Sequence, residues 1–155
     1  MHCNGIYQLN HENELLRIRF LGGFSTLGTG KENIDMRKKI LIVDDFEDAR
    51  ALMTTLLTSY GFDVIQASNG YEAVEMAVGE HPDLIFMDIA MPVMDGVQAT
   101  TAIREHHELD DVPIIALTAY GEFYNLRAKD VGCNDVIQKP LDYENLRPLV
   151  QQYIH

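Results

Sequence analysis

The sequence predicts an α/β fold: a doubly wound, five-stranded parallel sheet with five helices. Three observations point there. From Lys38 onward, short apolar runs alternate with stretches of helical periodicity, turn residues mark the junctions, and polar side chains end four of the apolar runs. With 155 residues, 46% of them hydrophobic, the chain is the size of one globular domain.

The first strand is ILIV (Ile40–Val43), and it and the four later runs are continuous in the way buried parallel strands require. Behind it, Ala49, Leu52, Met53, Leu56, Leu57 and Tyr60 recur at helical spacing as one core-facing stripe, which Gly61 ends. FDVIQA (Phe62–Ala67) reads as the second strand and Tyr71–Glu80 as the second helix, closed by His81-Pro82. LIFM (Leu84–Met87) and PIIAL (Pro113–Leu117) are strands three and four, with the third helix over Val97–Glu108 between them. The fourth helix covers Glu122–Val131, before Gly132; DVIQ (Asp135–Gln138) is the fifth strand and Tyr143–Ile154 the fifth helix. Pro148 removes one backbone donor inside that last helix, so it is expected to kink or to begin late. Right-handed crossovers place helices on both faces of the sheet.

Residues 1–36 lack this order. They offer one mixed run, LLRIRFLGGF, and a Gly-rich stretch, STLGTGK, whereas MRKKILIVDD from Met36 looks like a natural start. We expect an N-terminal extension over 1–36, a flexible arm or a start-site artefact, and one domain over 37–155. GTGK (Gly28–Lys31) is not a phosphate-binding loop, because Ser25 stands where the first Gly is needed and Glu32 where a Ser or Thr is needed. Residues 38–155 hold 8 basic against 20 acidic residues and so carry the whole net charge of −12. Affinity for nucleic acid rests on basic residues neutralising phosphates, so nucleic acid is not an expected partner. Cys3 and Cys133 show no metal or disulfide spacing, and no basic stretch followed by an apolar run opens the chain, so neither export nor a membrane span is expected and the cytoplasm is the default. His106 and His107, adjacent on a helix, diverge by about 100° and read as solvated. Phe123 and Tyr124 fit a core or a partner surface equally, and Met87, Met91 and Met94 read as packing residues.

In an open parallel sheet the loops at the carboxyl ends of neighbouring strands share one crevice. Asp44 and Asp45 end strand one, Asp88 strand three, Thr118 strand four and Lys139 strand five. Three carboxylates in one crevice repel: two unit charges about 4 Å apart cost roughly 4 kcal/mol at an effective dielectric near 20. A cation must compensate them, and Mg²⁺, a hard ion held by one or two carboxylates together with phosphate oxygens, fits best. No His or Cys ends these strands, which disfavours zinc. A carboxylate flanked by a metal and a fixed ammonium is suited to attack a phosphoryl donor, with Asp88 as nucleophile, Lys139 neutralising charge and Thr118 hydrogen-bonding the phosphoryl oxygen.

At this point the sequence resembles the response-regulator receiver domain of two-component signalling, from about Arg37 to Ile154. The motifs are ILIVDD, FMDIAMPVMDG, ALTAY and QKP, with Thr118 30 positions after Asp88 and Lys139 21 after Thr118. The resemblance implies a flavodoxin-like strand order of 2-1-3-4-5 and direct Mg²⁺ ligation by Asp45, Asp88 and the backbone carbonyl of Ala90, with Asp44 acting largely through bound water. It further implies that Asp88 accepts phosphate from a histidine kinase or phosphotransfer protein and that Lys139 and Thr118 contact the phosphoryl group. Pro92 and Gly96 would shape the loop after strand three, Ala119 would leave the phosphoryl group access, and the Lys139-Pro140 bond would be cis. The output would be protein contact through the face of helix four, strand five and helix five, with no output domain after helix five.

The chain departs from the family at three places. Val136 stands where the family usually has a Tyr or Phe that moves on phosphorylation, so switching would run through the strand-four loop and helix four, or through the ring of Tyr120. Ala90 and Tyr120 offer neither carboxylate nor amide beside the path of a hydrolytic water, so self-hydrolysis should be slow. Pro148 interrupts helix five. Two other readings fit less well: a binding module that ignores phosphate, disfavoured by the intact Asp44, Asp45, Asp88, Thr118 and Lys139 although Val136 leaves it open, and an aspartate-nucleophile phosphatase, disfavoured by Ala90 where that class has a second acid.

Overall fold

The structure is a computed structural model that describes residues 37–119 and 122–154, with the backbone alone at 122–125. The expectations for residues 1–36, for the ring of Tyr120 and for the side chains of Phe123 and Tyr124 lie outside the described residues. Strands β1 (Lys39–Val43), β2 (Asp63–Ala67), β3 (Leu84–Asp88), β4 (Ile114–Thr118) and β5 (Asp135–Gln138) form one parallel sheet in the order β2-β1-β3-β4-β5. The helices are α1 (Glu47–Ser59), α2 (Gly70–Glu80), α3 (Gly96–Arg104), α4 (Glu122–Asp130) and α5 (Leu146–Tyr153). The expected sheet, its strand order and the five helices are all present.

Side chains alternate along a strand, so each central strand feeds two cores. Leu41, Val43, Ile85, Met87, Ile114 and Ala116 pack with Ala73 and Ala77 of α2, with Val97, Ala99 and Ile103 of α3 and with Ala128 of α4. Ile40, Ile42, Leu84, Phe86, Ile115 and Leu117 pack with Met53 and Leu57 of α1 and with Leu146 and Val150 of α5. All of these strand residues are fully buried. At about 1.5–3 kcal/mol for each large apolar side chain taken out of water, the two layers fix the strands and hence the positions of the strand ends.

Four expectations need correction. β2 and β5 are not continuously buried: Asp63 and Gln66 of β2 and Gln138 of β5 are exposed, because both strands lie at sheet edges where half of a covering layer is missing. Leu52 of α1 is 45% exposed, since it lies at the flank of the stripe whose centre is Met53 and Leu57. The third helix stops at Arg104, four residues early, and a short 3₁₀ turn (His107–Leu109) follows. His106 and His107 therefore do not share a helix; His107 is exposed, its Nδ1 3.3 Å from Asp110 Oδ2.

Arg104, the last residue of α3, is a hub for the turns that follow. Its guanidinium donates to the carbonyls of Leu109 (2.7 Å), Val112 (2.9 Å) and Gly132 (3.1 and 3.2 Å) and to Asn134 Oδ1 (3.1 Å), and Asn134 Oδ1 also accepts the Ile114 amide at 2.8 Å. These donors satisfy backbone carbonyls of the two turns and tie the turn before β4 to the turn before β5. The fifth helix begins late, as Pro148 requires: a 3₁₀ turn (Tyr143–Asn145) precedes it, and Pro148 falls in the first turn, where a missing N–H leaves no hydrogen bond unmade.

Replacing Arg104 by Met keeps the aliphatic stem and removes every one of those donors. Hydrogen bonds from a charged group contribute about 1.5–3 kcal/mol each when buried and less when water can substitute, so urea unfolding of Arg104→Met should show a loss of about 2–3 kcal/mol at unchanged m-value.

Candidate functional site

The sheet order brings the carboxyl ends of β1, β3, β4 and β5 together. Asp88 ends β3 and is paired with Leu117, which sets Thr118 beside it, and Thr118 is paired with Gln138, which sets Lys139 beside that. The backbone N–H of Lys139 donates to the Thr118 carbonyl at 2.8 Å, and the Lys139-Pro140 peptide is cis, as expected. Asp44, Asp88 and Thr118 are buried polar residues. The five residues singled out in the sequence thus meet at one edge of the sheet.

Their geometry is specific. The Lys139 Nζ donates to Asp44 Oδ2 and to Asp88 Oδ2, both at 2.7 Å. The other oxygen of each carboxylate is held by an amide two residues on: Phe46 N–H to Asp44 Oδ1 and Ala90 N–H to Asp88 Oδ1, both at 2.9 Å. These local Asx-type turns follow from a short acidic side chain at a strand end. Asp45 differs, because its Oδ1 is buried without a hydrogen-bond partner. Oxygens of Asp44, Asp45 and Asp88 lie within 4.8 Å of one another. An all-oxygen donor set containing one orphaned buried carboxylate oxygen fits a hard divalent cation and suits neither zinc nor copper.

Charge is balanced only in part. Burial pushes the Asp88 carboxyl above the ordinary carboxylate range, and the Asp44 charge adds to that, while Lys139 and the Ala90 amide pull the other way. Burial alone would lower the Lys139 ammonium, but its contacts with Asp44 and Asp88 outweigh this and raise it, so Lys139 is a fixed positive charge. One ammonium faces three carboxylates, which leaves room for a second cation.

Close packing holds the loop after β3. A Cβ on Gly96 would collide with the Asp88 backbone carbonyl and crowd Ile89, so only glycine lets α3 start there. Asp95 caps α3 through a capping box with Gln98. Val93, in the same loop, has φ 71° although it is β-branched, and its side chain is 85% exposed. The left-handed conformation costs about 1–2 kcal/mol for such a residue, and no packing offsets it. Ala90 and Ala119 are exposed. Val136 is half-buried and packs against the cluster that contains Ala128 of α4.

Sequence reasoning passed over two features. Arg50 of α1 donates through Nη1 to the Asp44 carbonyl at 2.6 Å. Its position in the first turn of α1, with side chains tilted toward the helix N-terminus, was the available signal. Beside Lys139 there is a cleft of about 350 Å³ lined by Ala49 and Met53 of α1 and by Pro140, Leu141 and Tyr143, for which no single motif speaks.

Gly96→Ala should displace the loop after β3 and carry Asp88 with it: we expect a lower urea midpoint and loss of phosphoryl uptake from acetyl phosphate, read by intact mass. Val93→Asn, which tolerates the left-handed backbone, should stabilise the fold by about 0.5–1 kcal/mol in the same unfolding assay.

A family model for the response regulator receiver domain matches residues 40–151. Sporulation initiation phosphotransferase F of Bacillus subtilis is 33% identical over 120 residues, covering 77% of this chain and 95% of that protein. Other curated relatives are longer: the matched segment is 24% of one and 49% of two more. Among solved structures, the chemotaxis protein CheY4 of Vibrio cholerae aligns with TM-score 0.72 at 30% identity, over 76% of this chain and 99% of that one. The receiver domain of the sensor histidine kinase PA1611 of Pseudomonas aeruginosa, whose structure has a magnesium ion coordinated in the active site cleft, aligns with TM-score 0.70 at 33% identity, over 76% and 97%.

Proposed function

This chain belongs to the response regulator receiver domain family, and on that premise we propose that Asp88 accepts a phosphoryl group from a histidine kinase or a phosphotransfer protein and thereby changes the protein contacts of the domain. The observation that carries the reading is the environment of Asp88: a buried carboxylate at a strand end, gripped by Lys139 Nζ at 2.7 Å and by the Ala90 amide at 2.9 Å, beside the partnerless Asp45 oxygen.

Asp45 and Asp88, with the Ala90 carbonyl, are the proposed direct ligands of Mg²⁺. Asp44 is proposed to act through water. When bound, the ion neutralises charge on the phosphoryl oxygens. An Asp88 carboxylate oxygen attacks phosphorus; the P–N bond of the donor imidazole breaks, and its electron pair stays on the ring nitrogen. The Lys139 ammonium balances charge on the transferring group, and the Thr118 hydroxyl donates to a phosphoryl oxygen once the acyl phosphate exists. No external substrate is turned over in this scheme.

Residues 37–155 are the proposed receiver domain and 1–36 an extension to it, a boundary that agrees with the family match at 40–151. For output we propose the face of α4, β5 and α5, where Leu126 is 68% exposed. Val136, already packed against the core, leaves switching to the segment after β4 and to α4. The relative named as a phosphotransferase supports a place in phosphoryl relay. Among the described residues no helix is long and apolar enough to cross a membrane; a cytoplasmic location, without nucleic acid or membrane contact, is part of the same proposal.

Incubation with acetyl phosphate and Mg²⁺ should add the mass of one phosphoryl group to the wild type and none to Asp88→Ala; a gain that persists in the variant removes Asp88 from its role. Because Ala90 presents no carboxylate or amide to a hydrolytic water, the phosphorylated form should last minutes or longer in Mg²⁺ buffer. Decay within seconds, followed by mass or by phosphate release, contradicts that.

A further inference from the structure

We infer that Arg50 is a positioning residue for the acidic pocket: its guanidinium holds the Asp44-Asp45 peptide so that the Asp45 carboxylate faces the cation. This rests on the reading of the pocket as a Mg²⁺ site. The Asp44 carbonyl lies just past Val43, the last residue of β1 in register with β2 and β3, so neither neighbouring strand takes that carbonyl into its ladder. Arg50 Nη1 fills that place at 2.6 Å, and the Arg50 amide is itself anchored on the Phe46 carbonyl at 3.1 Å. A peptide unit is planar, so a donor that fixes the Asp44 carbonyl also fixes the Asp45 nitrogen and Cα, the atom from which the Asp45 side chain leaves the backbone. That side chain carries the buried oxygen without a partner. Clamping that peptide narrows the backbone positions from which Asp45 turns outward to water.

The charge of Arg50 also acts at longer range on α2. Glu72 of α2 accepts from the Ser68 amide and hydroxyl, both at 2.8 Å, which chiefly holds its carboxyl below the usual range, and the charge of Arg50 contributes as well.

Position and charge predict opposite signs. Arg50 is a cation near a cation pocket, so charge alone says that removing it tightens Mg²⁺ binding. If it positions Asp45, removing it weakens binding, and residues that orient metal ligands typically change affinity by roughly 10–100-fold. Isothermal titration with MgCl₂ in the absence of any phosphoryl donor separates the two. We expect Arg50→Met to bind about tenfold more weakly than wild type. Arg50→Lys, which still donates one hydrogen bond to the same carbonyl, should recover part of the loss, and Asp45→Asn should lose most of the affinity. Circular dichroism and the melting temperature report folding; if Arg50→Met does not fold, Arg50→Lys against wild type carries the test. Equal or tighter Mg²⁺ binding by the folded Arg50 variants overturns the inference while leaving the metal site in place, whereas a wild type that binds no Mg²⁺ overturns both.

Discussion

Between two buried carboxylates, each 2.7 Å away, stands the ammonium of Lys139, and the arrangement of the rest of the molecule is subordinate to that bridge. Asp44 and Asp88 are almost fully out of water, where an uncompensated charge costs several kcal/mol. Removing the lysine would leave two repelling anions in a poorly solvated edge of the sheet. Because the bridge spans β1, β3 and the end of β5, it exists only when those strands stand in the observed order. In turn it explains why one carboxylate, that of Asp45, is left for something else to satisfy.

The bridge is surrounded by short-range devices that hold each partner in one pose. Two amides each take the second oxygen of an aspartate two residues back, at the ends of β1 and β3 alike. Gly96 brings the start of α3 against the Asp88 carbonyl, closer than any Cβ allows. Lys139 is tied to Thr118 through the backbone. Preorganisation of this kind matters because a group placed for phosphoryl transfer must not reorganise when charge moves. The left-handed Val93, wholly without packing, is a local cost carried within the same loop.

Away from the pocket, the far ends of the strands are joined by Arg104, which gathers the turns before β4 and β5. The site and this knot occupy opposite ends of the same strands, and the two apolar layers between them make those strands rigid. The signal-bearing face, as proposed, is built on the edge strand β5, whose residues are half-buried or exposed. Val136 there is half-buried against the core and carries no ring.

The strand runs, their number, the polar residue closing each of four strands and the late start of the fifth helix were all legible in the linear sequence, because they depend on local rules: apolar continuity, turn chemistry and the geometry of proline. The half-exposed character of β2 left a trace in its run, since the polar Asp63 and Gln66 of FDVIQA are the residues found exposed while LIFM is wholly apolar and β3 wholly buried. That β2 and β5 are the edge strands, however, is decided by their neighbours in the sheet. The same holds for Leu52, which belongs to the α1 stripe yet faces outward, and for the third helix, which ends where Arg104 finds carbonyls from distant turns. Residue types at strand ends determined what chemistry the crevice can hold. Only the folded chain decided which oxygens Lys139 and the amides occupy and that Arg50 reaches the Asp44 carbonyl, because hydrogen-bond partnership between segments far apart in sequence is a property of their packing and has no local signature.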